Sequence, residues 1–188
     1  MKKTKLLCLV YVLFCTAALQ AQKSPQVRAR VAEISKMYAA AHDAMAQNGQ
    51  SGEIRSDTEI TARYVVPGTE ATRETVHYYY ELQNDGEAGV AFYQPYFVTR
   101  CYNVAARKFY QEFLFDTERR ELVFAYESGE NFEGGTDEVR CYWGDNGRGE
   151  TELVYKSEKG RPLADENSLM RKSYSLVDAL NLLINRDD

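Results

Sequence analysis

His77, Cys101 and Cys141 are the side chains outside the N-terminal apolar run with the most scope for chemistry in this 188-residue chain. A histidine beside a thiol or a carboxylate could act as a general base, and a thiolate so activated could attack a carbonyl. His77 lies in an alternating run (Thr75 to Leu82), which places it on one strand face with Arg73, Thr75 and Tyr79. Arg63 and Tyr110, from neighbouring strand-like segments, are expected on the same face. Tyrosine offers an apolar plane with a hydrogen-bonding tip, so such a face suits a sugar or a peptide. Arg63, His77, Tyr79 and Tyr110 are therefore the candidate ligand-binding residues. Good strand propensity of tyrosine and threonine accounts for the same pattern without any ligand.

Other chemistries lack their signatures. The second histidine, His42, lies in a helical stretch next to Asp43, and adjacent helical positions point in different directions. The two histidines do not have the four-residue spacing of a zinc helix, and there is no Gly-x-Ser-x-Gly elbow. Asp145 to Glu150 places glycines where a calcium loop needs oxygen ligands, so it reads as a hairpin turn. Gly134-Gly135 is followed by no helix that could aim its dipole at a phosphate. Carboxylate pairs (Glu118 and Glu121, Glu130 and Glu133, Asp137 and Glu138) fall in turn-like segments where charges stay solvated. No catalytic residue, metal site or cofactor is expected.

The elements that must position these groups follow from periodicity. Ser24-Pro25 opens a helix in which Val27, Val31, Ile34, Met37, Ala41 and Met45 share a face, and Asn48-Gly49 closes it. From Glu53 to Ser157 the period falls to two, in short segments divided by Pro67-Gly68, Asn84-Asp85-Gly86, Asp116 to Arg119, Ser128 to Thr136 and Asp145-Asn146-Gly147. Connections this short forbid helical crossovers, so the strands must be antiparallel. Pro95 predicts an edge or a bulge, and Leu122 to Tyr126, apolar on both faces, predicts a central strand. Leu169, Leu176, Leu180, Leu183 and Ile184 return to helical spacing. The expected fold is α+β: a curved antiparallel meander of six or seven strands, packed by an N-terminal and a C-terminal helix.

Lys2, Lys3 and Lys5 followed by the apolar run Leu6 to Leu19 and then Ala21 predict a signal peptide over residues 1–21 and a single domain over 22–188. The run is shorter than a membrane span requires, so no span is expected after cleavage. Phe14 before Cys15 is a poor lipidation context, which favours release into the periplasm or beyond over a lipid anchor. Loss of the three lysines takes the net charge from −5 to −8. An acidic domain repels phosphate backbones, so nucleic acid is not an expected partner. Cys8 and Cys15 leave with the leader, and Cys101 and Cys141 remain as a disulfide candidate in an oxidising compartment, with two buried thiols as the other reading.

The segments His77 to Tyr80, Tyr93 to Asp116, Glu121 to Glu127 and Arg140 to Asp145 resemble small secreted proteins of unknown function from anaerobic Gram-negative bacteria. That resemblance implies an extracytoplasmic address and carries over no functional residues. The expectation is a non-enzymatic binding or interaction domain whose ligand is a glycan, a peptide or a protein. The alternative is a hydrolase acting on envelope or extracellular polymers, which requires His77 near a carboxylate or a reduced cysteine.

Overall fold

The computed structural model describes residues 24–48, 56–65, 71–85, 90–145 and 149–184. The expected leader, Gly49 and the turn glycines Gly68, Gly86 and Gly147 lie outside the described residues. Helix α1 (Pro25–Gln47) is followed by seven strands and a second helix. The strands are β1 (Asp57–Val65), β2 (Ala71–Asp85), β3 (Val90–Val104), β4 (Arg107–Asp116), β5 (Glu121–Glu130), β6 (Thr136–Asp145) and β7 (Thr151–Lys159); helix α2 spans Glu166–Ile184. All seven strands form one antiparallel sheet in sequence order. The fold is the α+β meander that short connections and a period of two require.

Each helix packs on a different face of the sheet. Val76, Tyr78, Val98, Phe113, Leu122, Ala125, Val139, Cys141 and Trp143 meet Leu169, Leu176 and Leu180 of α2. Phe97, Leu114, Val123 and Phe124 meet Ile34 and Ala41 of α1. In α2 the buried positions Leu169, Ser173, Leu176 and Leu180 repeat every three or four residues, the stripe one helical face presents. Full burial of each such leucine contributes about 1.5–3 kcal/mol. Leu183, expected on this stripe, is about half exposed, whereas Ile184 packs on the core, because a stripe through Leu176 and Leu180 continues to position 184 rather than 183.

Three bulges explain where strict alternation fails. Between β2 and β3 the register skips Tyr96, so Tyr96 and Phe97 both pack on the α1 side. Pro95 marks this bulge rather than the edge of the sheet: β3 is interior, but its pairing with β4 begins only at Phe97, which spares Pro95 a ladder bond on that side. Between β4 and β5 the extra residue is Val123. Leu122 and Ala125 consequently face α2 while Val123 and Phe124 face α1, which gives this interior strand an apolar surface on both sides. The third bulge, at Val154, lies on the outer strand β7.

The two cysteines are free. Cys101 pairs in register with Thr75 and Tyr110, on the α1 side, whereas Cys141 is buried against α2. Two strands separate β3 from β6, roughly 14 Å at ordinary strand spacing, against the roughly 4–7 Å between Cα atoms that a disulfide allows. The expected bridge does not form. Burial pushes the Cys141 thiol up to about 12 and raises that of Cys101 as well.

Candidate functional site

Helix α1 crosses the sheet as a diagonal strap. At its start the Arg30 guanidinium donates to the Trp143 carbonyl of β6 (3.2 Å). In the middle the Tyr38 hydroxyl donates to Glu112 Oε2 of β4 (2.8 Å). At its end Asn48 donates to Asp57 Oδ1 of β1 (2.9 Å) and accepts from the Ser56 amide (3.1 Å). A strap so placed leaves part of the sheet uncovered on either side.

On one side lies an open trough of about 670 Å³. Its floor is a row of in-register neighbours: Thr75, Cys101, Tyr110 and Ser128, one from each of β2 to β5. Arg73, Lys108, Glu130 and Thr136 line its outer end. The Arg73 and Lys108 side chains enter no ion pair with another described residue, whereas Glu130 accepts from the Lys108 amide (3.0 Å). The trough thus combines an aromatic plane, several hydroxyls and two cations with no carboxylate partner among the described residues.

Tyr110 of the trough donates to Glu112, which lines a second, narrower cleft of about 380 Å³. This cleft runs under α1 and is lined by Ile34, Tyr38, Glu112, Tyr126, Arg140 and Tyr142, with Ser35 and Phe124. Glu112 is buried, and its two oxygens accept one phenol each, from Tyr110 and Tyr38 (both 2.8 Å). Burial and then the Glu112 carboxylate keep both phenol pKa values far above the ordinary tyrosine value, so each stays protonated and donating. Arg140 lies over the Tyr126 ring (4.8 Å) and pairs with Glu138 (2.9 Å).

The four residues singled out by alternation do share the α1 side of the sheet, but they serve different ends. Tyr110 lines the trough. His77 and Tyr79 do not: His77 Nε2 lies 2.7 Å from Asp57 Oδ2, and the Tyr79 ring stacks on it (4.4 Å between centroids) with its hydroxyl 3.3 Å from Nδ1. The series Asn48, Asp57, His77 and Tyr79 fastens the end of α1 to the sheet. Arg63 is exposed on β1. His42, expected to be solvated, is exposed yet lays its ring against Tyr38 and Phe97. Cys101 occupies the trough floor, but burial raises its thiol pKa, the opposite of what a nucleophilic cysteine needs.

Buried carboxylates are the residues that periodicity missed. On the α2 side a polar seam runs from the Tyr64 hydroxyl to Glu74 (2.9 Å), through Arg100 to Gln111 (2.9 Å), and from Gln111 to Glu127 (3.0 Å). Arg100 grips both Glu74 oxygens (2.6 and 3.0 Å) and lies 3.9 Å from the Tyr102 ring centre. Tyr102 in turn donates to Glu127 Oε1 (2.8 Å), leaving Glu127 Oε2 buried without a hydrogen bond. The Arg100 contact holds the Glu74 carboxyl below its ordinary range, while burial, with Arg100 nearby, lowers Lys172 of α2. Asp137, expected in a solvated turn, has 3 % of its surface exposed and accepts from Asn131 (3.1 Å). A glutamate in the polar phase of a strand gives no sign of burial when a helix later covers that phase.

Among the described residues no three His, Cys, Asp or Glu side chains group as metal ligands, and no helix is long and apolar enough to cross a membrane. No family model, curated protein or solved structure matches the chain.

Proposed function

We propose that the protein is an exported, non-enzymatic binding domain whose ligand lies in the trough beside α1. The observation that carries this reading is the row Thr75, Cys101, Tyr110 and Ser128, left uncovered by the strap helix and flanked by the cations Arg73 and Lys108, which enter no ion pair with another described residue. A cavity of about 670 Å³ is in the range that holds small ligands or a few residues of a polymer. Hydroxyl groups and a tyrosine plane suit a sugar ring. Two cations on an otherwise acidic chain suit a carboxylate on that sugar, so the class best matched is an acidic glycan.

Binding to an array of uronate-bearing and neutral glycans tests the proposal. Wild-type protein should prefer the uronate set. Tyr110→Ala should abolish that binding, and Arg73→Ala with Lys108→Ala should remove the preference for acidic members. Tyr110→Phe keeps the aromatic plane and should retain most of the binding. Unchanged binding in Tyr110→Ala, with an unchanged circular dichroism spectrum, would remove the trough from consideration.

The hydrolase reading has one observation in its favour, the 2.7 Å contact between His77 and Asp57. That pair faces the end of α1 and lines neither the trough nor the cleft. Hydrolysis of the bound glycans that disappears in His77→Gln would favour the enzyme instead.

A further inference from the structure

Strand β1 closes the sheet at one edge, and the direction of its backbone groups can be assigned. The Tyr80 amide donates to the Ser56 carbonyl (3.1 Å) across the β1–β2 pair. In an antiparallel ladder a residue's N–H and C=O point the same way, and the direction alternates along the strand. Thr58, Ile60, Ala62 and Tyr64 therefore aim their backbone groups at β2. Glu59, Thr61, Arg63 and Val65 aim theirs at the free side, as does Asp57, whose carbonyl already accepts from the Tyr80 hydroxyl (3.3 Å).

Among the described residues this edge lacks the proline, lysine and bulge that protect many such strands, and its register with β2 is continuous over nine residues. The opposite edge strand, β7, carries the bulge at Val154 and the cluster of Lys156 with Glu158 and Glu166. On β1, by contrast, Val65 and Tyr64 stay exposed. Glu59 and Arg63 are exposed as well, and neither forms an ion pair with another described residue. They cannot meet each other within one strand, because four residues of extended chain separate them by about 13 Å.

Those charges are placed symmetrically about Thr61. If two β1 strands run antiparallel with Thr61 at the dyad, Glu59 falls opposite Arg63 of the partner subunit, and this pair occurs twice. Asp57 and Val65 then close the ends, so all nine residues overlap. Every outward-facing residue pairs with another outward-facing one, as ladder hydrogen bonding demands. We propose that two copies of this chain join edge to edge through β1 in this register, their sheets forming one continuous sheet. The dyad is perpendicular to the sheet, so both α1 faces look the same way. Two troughs on one side make a bivalent surface, which strengthens attachment to a repeating polymer without any new contact. The dimer itself does not depend on what the trough binds.

Sedimentation equilibrium on the purified protein tests this. Glu59→Arg alone, or Arg63→Glu alone, sets like charges opposite each other twice and should raise the dimer dissociation constant roughly tenfold or more. Glu59→Arg combined with Arg63→Glu restores both pairs and should return the constant to near its wild-type value. Thr61→Pro deletes an amide that points away from β2, so it should abolish the dimer while leaving the circular dichroism spectrum unchanged. A wild-type protein that stays monomeric at about 100 μM would overturn the proposal. So would a dimer indifferent to the single reversals, or a double reversal as weak as either one.

Discussion

Replacing Arg100 with methionine should destabilise the protein more than most substitutions outside the apolar core. The Arg100 side chain is 8 % exposed, and it supplies three hydrogen bonds: two to the Glu74 carboxylate and one to Gln111. Methionine keeps most of the apolar stem but leaves the Glu74 carboxylate, whose side chain is only 15 % exposed, without its counterion. Removing one partner of a buried ion pair costs about 3–5 kcal/mol. Glu74 keeps the Tyr64 hydroxyl and has Lys172 nearby, which places the expected cost at the lower end, about 3 kcal/mol. For a chain of this length that corresponds to a melting temperature lower by roughly 6–12 °C. Urea titration with a common slope measures the free energy directly. The control is Glu74→Leu with Arg100→Met: with no orphan charge left, the double variant should be more stable than Arg100→Met alone. A cost under about 1 kcal/mol for Arg100→Met, or a double variant whose losses simply add, would refute the reasoning. A pH series provides a further check. Arg100 depresses the Glu74 pKa in the folded state, so the pair's contribution is present above the ordinary glutamate value of ~4.3 and is lost as pH falls through the lower folded value. Arg100→Met should lose that part of the acid-side decline.

Gly129→Ala would place a methyl group 2.6 Å from ring carbons of Phe109, which stacks on Tyr102. The ring must shift, and a loss of about 1–3 kcal/mol in urea titration is expected. A thiol reagent should label Cys101 in the native protein and reach Cys141 only on unfolding, and non-reducing electrophoresis should show no mobility shift. Tyr38→Phe removes a hydrogen bond between α1 and the Glu112 carboxylate, and should cost about 1–2 kcal/mol while increasing amide exchange along α1. His77→Gln should loosen the last turn of α1 in the same exchange measurement, since it breaks the contact with Asp57.

Much of the architecture was legible because its causes are local. A period of two and turns too short for a crossover dictate an antiparallel meander. Ser24 caps α1 through the Val27 amide (3.2 Å), as the Ser-Pro opening implies, and spacings of three and four mark the stripes that α1 and α2 bury. The sharing of one sheet side by Arg63, His77, Tyr79 and Tyr110 was legible for the same reason, since side chains on a strand alternate and register follows the turns.

What the tertiary structure alone decided is where α1 lies across that side. By crossing diagonally, it takes His77 and Tyr79 for its own anchorage and leaves Tyr110 open to the trough. The bulges at Tyr96 and Val123 reverse which face a residue takes, and only pairing with the neighbouring strand reveals the skipped position. Burial of Arg100, Gln111 and Glu127, with half-buried Glu74 beside them, depends on the same long-range packing. The separation of Cys101 from Cys141 depends on strand order and face together. Contacts that bring distant segments together set these outcomes, and they leave no periodic trace in either segment alone.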